Sequence, residues 1–276
     1  MAVDVELTPR GPYRLRLMTR GPVWRAPVPG GRSVQAWQRH DGRVVVRAPN
    51  EETVELARFM LALDDDTSEL HRRFGRDPLL GPSARAYVGF RPLRCATVAQ
   101  ALLRAICGQL IEGRRAFAIE RAITRAAGDE VVTQEALARF SPAELRGHGL
   151  AQHRASALAR IARSVDLEGL RRFPTETVLA RLTGERTVGP WSVGVIATQG
   201  LGRYDHGVVG DLGLVKLAAS LWGRWPEPAE TAALLEPYGE WQGLACELLL
   251  RGAARGLVPG ASVDVARQAR RRARAA

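Results

Sequence analysis

The sequence predicts an α+β fold, mostly α, in which a small N-terminal antiparallel sheet precedes a multi-helix region. Three observations predict it. Residues 13–48 read as strand, with stretches that alternate apolar and polar side chains. Within them Asp41–Gly42 is a dipeptide suited to a tight hairpin. From Glu51 onward the apolar spacing changes to three and four residues, the period of a helix with one buried face. The sheet and its flanking helices are assigned to residues 1–75, the helical part with its basic tail to residues 76–276.

Element by element, "YRLRLM" at residues 13–18 alternates and reads as the first strand. Pro27–Gly31 separates it from a hairpin formed by "VQAWQR" and "RVVVRA". "ETVELARFMLAL" is helical, and "DDDTSELHRRF" begins with cap-like residues before a second helix. "RDPLLGPSARAYVGFRP" is a connection punctuated by Pro and Gly. The stretch from Thr97 reads as helical to Gly128, with Val98, Leu102, Ile106 and Leu110 at spacings of four, then Phe117 and Ile123. Ser141 and Glu144 have capping-box spacing, with Pro142 at the first helical position. "QHRASALARIARSV", "PTETVLARLT", "WSVGVIATQGL", "DLGLVKLAASLW" and "EWQGLACELLLRGAA" are further helices, and the chain has no internal repeat of fixed period.

The composition narrows the function classes. A hydrophobic content of 46% with 25% charged residues is that of an ordinary globular chain. No apolar run approaches the roughly 20 residues that span a bilayer, and the N-terminus lacks a signal-peptide apolar core. A cytoplasmic location without membrane contact is expected, nucleoid-associated if the source is bacterial. Cys95, Cys107 and Cys246 have no metal-ligand spacing, so no metal or iron–sulfur site is expected. The formal net charge is +11, and Lys216 is the only lysine among 40 basic residues. Such an arginine excess points to a polyanionic partner, because guanidinium groups pair with phosphates and stack on bases. The tail "ARQARRRARAA" reads as a solvated helical end, with nucleic-acid contact as the alternative.

Two features carry chemistry. "LARLTGERTVGPWSVGVIATQGL" is a pair of helices joined by a short turn ending at Gly189–Pro190. It is either an ordinary connection or an anion site, in which turn and helix-start amides converge on a phosphate. The second feature is Asp211, between a glycine-rich turn and an apolar helix. Its position alone fits an N-cap, and a carboxylate at a helix start also suits a fixed catalytic anion.

Together these motifs resemble the helix–hairpin–helix DNA glycosylases, in particular the 3-methyladenine DNA glycosylase II branch. "RTVGPWSV" looks like that branch's "PGIGPWTA" turn, and Asp211 follows Trp191 by twenty residues, as the branch's Asp follows its Trp. "LLRAICGQLIE" looks like its "RAILGQ" helix, and "EPYGEWQGLACELLL" like its closing "PW…YA" helix. The resemblance covers roughly residues 75–252.

By that resemblance the expected function is a monofunctional glycosylase that flips a nucleotide out of duplex DNA and hydrolyses its glycosidic bond. Alkylated purines of the 3-methyladenine type are its implied substrates. Asp211 is implied as the catalytic carboxylate beside an oxocarbenium-like transition state. Trp191 and Gln109 are implied in the substrate pocket, where a Trp face attracts a cationic base; the bland alternative for Trp191 is a core aromatic. Leu110 is implied as the wedge that fills the vacated stack, or else as core. Arg186, Thr187, Val188, Gly189 and Ser192 are implied in phosphate binding at the hairpin. Strand-cleaving members carry a Lys where Trp191 stands, so an abasic product is expected. No cofactor is expected beyond a candidate monovalent cation at the hairpin. The partner is duplex DNA with a damaged base, and a monomer is expected.

The chain also departs from the pattern. Arg186 and Thr187 replace the hairpin's Pro and first Gly, and a positive φ at Thr187 would be costly. Val195 and Leu250 stand at aromatic pocket positions, with Trp24, Trp37 and Trp222 as possible substitutes. Two alternatives follow: a non-catalytic DNA-binding protein, and a glycosylase for a neutral lesion such as hypoxanthine.

Overall fold

A computed structural model describes residues 2–109, 112–184 and 187–275. Four strands, β1 (Val3–Leu7), β2 (Val23–Val28), β3 (Arg32–Gln38) and β4 (Val44–Ala48), form one antiparallel sheet in the order β1-β4-β3-β2. The β3–β4 hairpin turns at Asp41–Gly42 as expected, but its loop is wider than a two-residue turn. Arg39 N–H bonds to the Arg43 carbonyl at 2.8 Å, Gly42 N–H to the Arg39 carbonyl at 3.1 Å, and Gly42 takes φ 89°.

Two sequence expectations about the sheet are corrected. "YRLRLM" is not a strand: Leu15–Leu17 form a single 3₁₀ turn, and the first strand is "VDVEL" near the N-terminus. The backbone of residues 13–15 is already engaged elsewhere. Leu15 N–H donates to Gln38 Oε1 at 2.9 Å, Gln38 Nε2 donates to the Tyr13 carbonyl at 3.0 Å, and Arg14 N–H donates to the Gly89 carbonyl at 2.9 Å. With those groups committed, no ladder can form there. Nor does Pro27 end a strand: it lies inside β2, at the sheet edge, where a missing donor costs no ladder bond. The β2–β3 turn carries Gly30 and Gly31, whose amides donate to Asp129 Oδ2 at 2.8 and 3.3 Å.

The helices used below are α1 (Glu51–Met60), α2 (Ser68–Phe74), α3 (Gly81–Ala86), α4 (Val98–Gly108), α5 (Gly113–Ala126), α6 (Gln134–Arg139), α7 (Pro142–Gly147), α8 (Gln152–Ser164), α9 (Thr175–Thr183), α10 (Pro190–Val195), α11 (Leu212–Trp222), α12 (Gln242–Ala253) and α13 (Val263–Ala275). The predicted capping box opens α7: Glu144 N–H donates to Ser141 Oγ at 3.2 Å and Ser141 N–H to Glu144 Oε2 at 2.7 Å. The connection after α2 contains the short helix α3. The stretch from Thr97 to Gly128 divides in two, because Gln109 is extended at ψ 124°. Gly108 closes α4 and Gly113 opens α5, and another element approaches closely at Gly108, as described below.

Three large apolar clusters and one small one hold the described residues together. The inner sheet face, including Val34, Val44 and Val46, packs with Val54 and Ala57 of α1 and with Val131. Leu102 and Ile106 of α4 pack with Ile123 of α5, Leu158 of α8, Leu182 of α9 and Val193 of α10. Leu214 and Leu217 of α11 pack with Leu244 and Leu248 of α12 and with Tyr87. Each fully buried Leu or Ile contributes about 1.5–3 kcal/mol of apolar transfer. The second and third clusters meet at Val208, which packs against both. This seam is where the loop leading to Asp211 runs.

Candidate active site

The hairpin joins α9 to α10. Gly189 is the extended N-cap of α10, at φ −94° and ψ −178°, and Pro190 occupies the first helical position, as predicted. Val193 N–H closes the first turn on the Gly189 carbonyl at 3.1 Å. Val188 is buried in the second cluster and anchors the turn from below. Among the described residues Ala62 is the only non-glycine with positive φ, so Thr187 carries no left-handed strain. The hairpin accommodates Thr187 without the glycine of the resembling pattern. After Val195 the helix continues as a π-helical turn over Ile196–Leu201.

Gln109, at the end of α4, reaches the hairpin. Its Nε2 donates to the Thr187 carbonyl at 2.5 Å and to the buried Ser192 Oγ at 2.6 Å. The side chain expected in the substrate pocket therefore ties α4 to the turn. Leu110 and Arg186, expected as wedge and phosphate ligand, lie outside the described residues.

Trp191 projects from the first turn of α10 over the end of α4. A Cβ at Gly108 would stand 2.5 Å from Trp191 Cη2, so only glycine admits the indole there. The contact falls at the last residue of α4, where the sequence pattern had continued the helix. Trp191 Nε1 donates to Asp211 Oδ2 at 3.2 Å.

Asp211 is the N-cap of α11, and Gly213 N–H donates to its Oδ1 at 2.7 Å. Cap and partner of Trp191 are thus one carboxylate, each oxygen holding one donor. The loop before it is closely fitted. A Cβ on Gly194 would stand 2.3 Å from the Gly207 carbonyl oxygen, so α10 packs directly on the loop backbone. Gly210 takes φ 84° with its N–H on Thr231 Oγ1 at 2.8 Å, and Asp211 N–H bonds to the Val208 carbonyl at 3.0 Å.

The remaining pocket positions are apolar. Val195 is buried in the second cluster. Leu250 of α12 leans on the first turn of α11, with its Cδ2 2.8 Å from where a Gly213 Cβ would be. Neither Trp24 nor Trp37 substitutes for the absent aromatics, since both sit in the sheet region, and Trp222 stacks under Arg224. Trp241 stacks on Tyr204 with centroids 6.0 Å apart.

The sequence reading missed Glu247. This lone acid in the apolar run Leu244–Leu250 lies on α12 one turn after Gly243, which packs against the His206 carbonyl. Burial holds its carboxyl above the usual carboxylate range. The neighbouring Arg251, 3.6 Å away, opposes that shift and the Asp211 charge adds to it. An acid interrupting an apolar helical face was the available signal. The site thus pairs a doubly hydrogen-bonded carboxylate with an indole, and a second carboxyl shifted upward by burial lies on the neighbouring helix.

Among the described residues no helix is long and apolar enough to cross a membrane, and no group of three or more His, Cys, Asp or Glu is placed to hold a metal ion. No protein-family model matches the chain. A DNA-3-methyladenine glycosylase of Bacillus subtilis (strain 168) is 24% identical over 229 residues, 77% of this chain and 76% of the relative. The solved 3-methyladenine DNA glycosylase of Archaeoglobus fulgidus superposes with a TM-score of 0.76 at 20% identity, covering 91% of this chain and 98% of that one. The 8-oxoguanine glycosylase/lyase of Clostridium acetobutylicum, solved with duplex DNA containing cytosine opposite 8-oxoguanine, gives 0.71 at 20% identity, with 87% and 88% covered.

Proposed function

Because the chain has the fold of the helix–hairpin–helix DNA glycosylases, we propose that it is a DNA glycosylase of base excision repair, and more narrowly a monofunctional one that releases alkylated purines from duplex DNA. One observation supports this most: Trp191 and Asp211, from the hairpin helix and the next helix, meet in a direct hydrogen bond. Asp211 is the catalytic carboxylate of the proposal. As the bond from C1′ to the base breaks, its electron pair leaves with the base and positive charge develops on the deoxyribose. A carboxylate already oriented by Gly213 and Trp191 stabilises that charge without reorganising. Water then adds to C1′ and loses its proton, leaving an abasic site. A cationic methylated purine departs neutral and requires no proton from the protein. Its charge is attracted to an indole face by about 0.5–2 kcal/mol. The amine nucleophile of a strand-cleaving enzyme has no counterpart at Trp191.

Glu247 favours a second reading. A neutral leaving base such as hypoxanthine would need a proton that a cationic base would not, and Glu247, on the helix packed beside the Asp211 loop and shifted upward by burial, is the candidate donor.

The test is release of free base from methylated and inosine-containing duplexes by wild type and Asp211→Asn, followed by alkali. Release of 3-methyladenine by wild type alone, with strand breaks only after alkali, is the expected result. Release from inosine duplexes alone selects the neutral-lesion reading. Strand breaks without alkali would remove the monofunctional assignment. Duplex binding with no release from any of these substrates would favour a DNA-binding protein without turnover.

A further inference from the structure

Beside the first turn of α11 lies a groove that the proposed chemistry does not use. It has a volume of about 340 Å³ and is bordered by Gly213, Lys216 and Ser220 of α11, by Trp225, and by Arg267 and Arg270 of α13. Lys216, Arg267 and Arg270 are exposed. Arg270 lies over the Trp225 ring, 5.5 Å from its centroid. Arg267 pairs with Asp264 at 3.5 Å, whereas among the described residues no carboxylate pairs with Lys216 or Arg270 and none lines the groove.

The basic helix is not a loose tail. Ala266 and Ala269 pack on Ala219 of α11, fixing α13 against the helix that Asp211 caps. Arg271, Arg272 and Arg274 extend the exposed charge beyond the groove. At its other end the groove begins at Gly213, whose N–H holds Asp211 Oδ1. Lys216 is five residues from Asp211, about 7.5 Å along a helix axis. A DNA strand rises about 3.4 Å per nucleotide, so that distance is about two nucleotide steps.

We propose that the groove between α11 and α13 is a second DNA contact, in which Lys216, Arg267 and Arg270 seat backbone phosphates of the duplex close to the flipped nucleotide. It rests on the glycosylase reading and extends it to a surface that neither α9 nor α10 lines. Contacts of this kind set register without reading sequence. They also have a distinctive signature, because each phosphate neutralised lowers the slope of log K against log salt by about 0.9.

The experiment measures duplex affinity by fluorescence anisotropy across a KCl series. The probe is a 20-base-pair duplex with a tetrahydrofuran abasic analogue, and the proteins are wild type, Lys216→Ala, Arg267→Ala/Arg270→Ala and Arg267→Lys/Arg270→Lys. Thermal melting of each variant reports folding. The expected result is a salt slope shallower by about one for the single variant and by one to two for the alanine pair. The lysine pair should retain most of the wild-type slope. A wild type that binds the duplex, with slopes unchanged in the alanine variants, overturns the groove and leaves the glycosylase reading standing. Weaker binding with an unchanged slope and a lowered melting temperature marks a structural role and also overturns it. A wild type that binds no duplex removes the glycosylase reading, and the groove with it.

Discussion

The Trp191 indole donates its N–H to Asp211 Oδ2 at 3.2 Å, joining two helices whose contact residues lie 20 positions apart. Asp211 Oδ1 is at the same time the N-cap acceptor of α11. Stability and the proposed chemistry can therefore be separated by substitution. Asn retains a cap acceptor but loses the charge, so Asp211→Asn should melt within a few degrees of wild type. Its base release should fall by about 10²–10³, the scale for loss of one preorganised electrostatic group. Asp211→Ala should lose activity similarly and also about 1 kcal/mol of stability. Single-turnover base release and thermal melting check both.

Gly108→Ala tests the approach of α4 to the indole. Alanine favours a helix by up to about 1 kcal/mol over glycine. The new Cβ would nevertheless stand 2.5 Å from Trp191 Cη2, and such overpacking costs about 1–3 kcal/mol. The indole must move away from Asp211 to make room. A modest net loss of stability with a larger loss of base release is expected, read by denaturant unfolding and by single-turnover assay. A variant with wild-type release would show that the placement of Trp191 is unimportant.

Gln109→Ala removes both donors that tie the hairpin to α4 and leaves the buried Ser192 hydroxyl without one of its partners. Losing such a bond with a buried group left behind costs about 1–3 kcal/mol. We expect lower stability together with several-fold weaker duplex binding, measured by melting and by anisotropy.

Two carboxylates should give opposite pH dependences. Glu230 is held down at about 2, first by its bonds to Arg224 and then by the Glu227 amide. It binds fewer protons folded than unfolded, so its stabilising effect is full above the usual carboxylate value of 4.5 and disappears as pH falls through about 2. Glu247 is shifted upward by burial, so the folded state holds its proton longer and stability falls as pH rises above 4.5. At neutral pH Glu230→Gln should lower the melting temperature and Glu247→Gln should raise it. Both differences should shrink toward pH 2–3.

Much of this was legible from local rules. The period change at Glu51, the Asp41–Gly42 hairpin, the Ser141 capping box, Pro190 at a helix start and Asp211 at another all follow from backbone chemistry within four residues. The failures have distant causes. "YRLRLM" alternates like a strand, but Gln38 and Gly89 already take its backbone groups. The apolar stripe of α4 continues past Gln109, but Trp191, more than eighty residues away, occupies the space at Gly108. Glu247 reads as a solvated acid until α12 is packed beside the Asp211 loop.

The grip of Asp129 on the β2–β3 turn bears on the order of assembly. Gly30 N–H and Asp129 are 99 positions apart, and Val131 just beyond joins the apolar cluster under the sheet. A hairpin can form within microseconds of its strands being available. During synthesis these strands therefore pair long before the residues that clasp them have left the ribosome. Closing so long a loop costs entropy that only later contacts repay. The β2–β3 turn emerges 99 residues before the side chain that clasps it, and for that interval the sheet's β2 edge is open to pairing with another nascent chain.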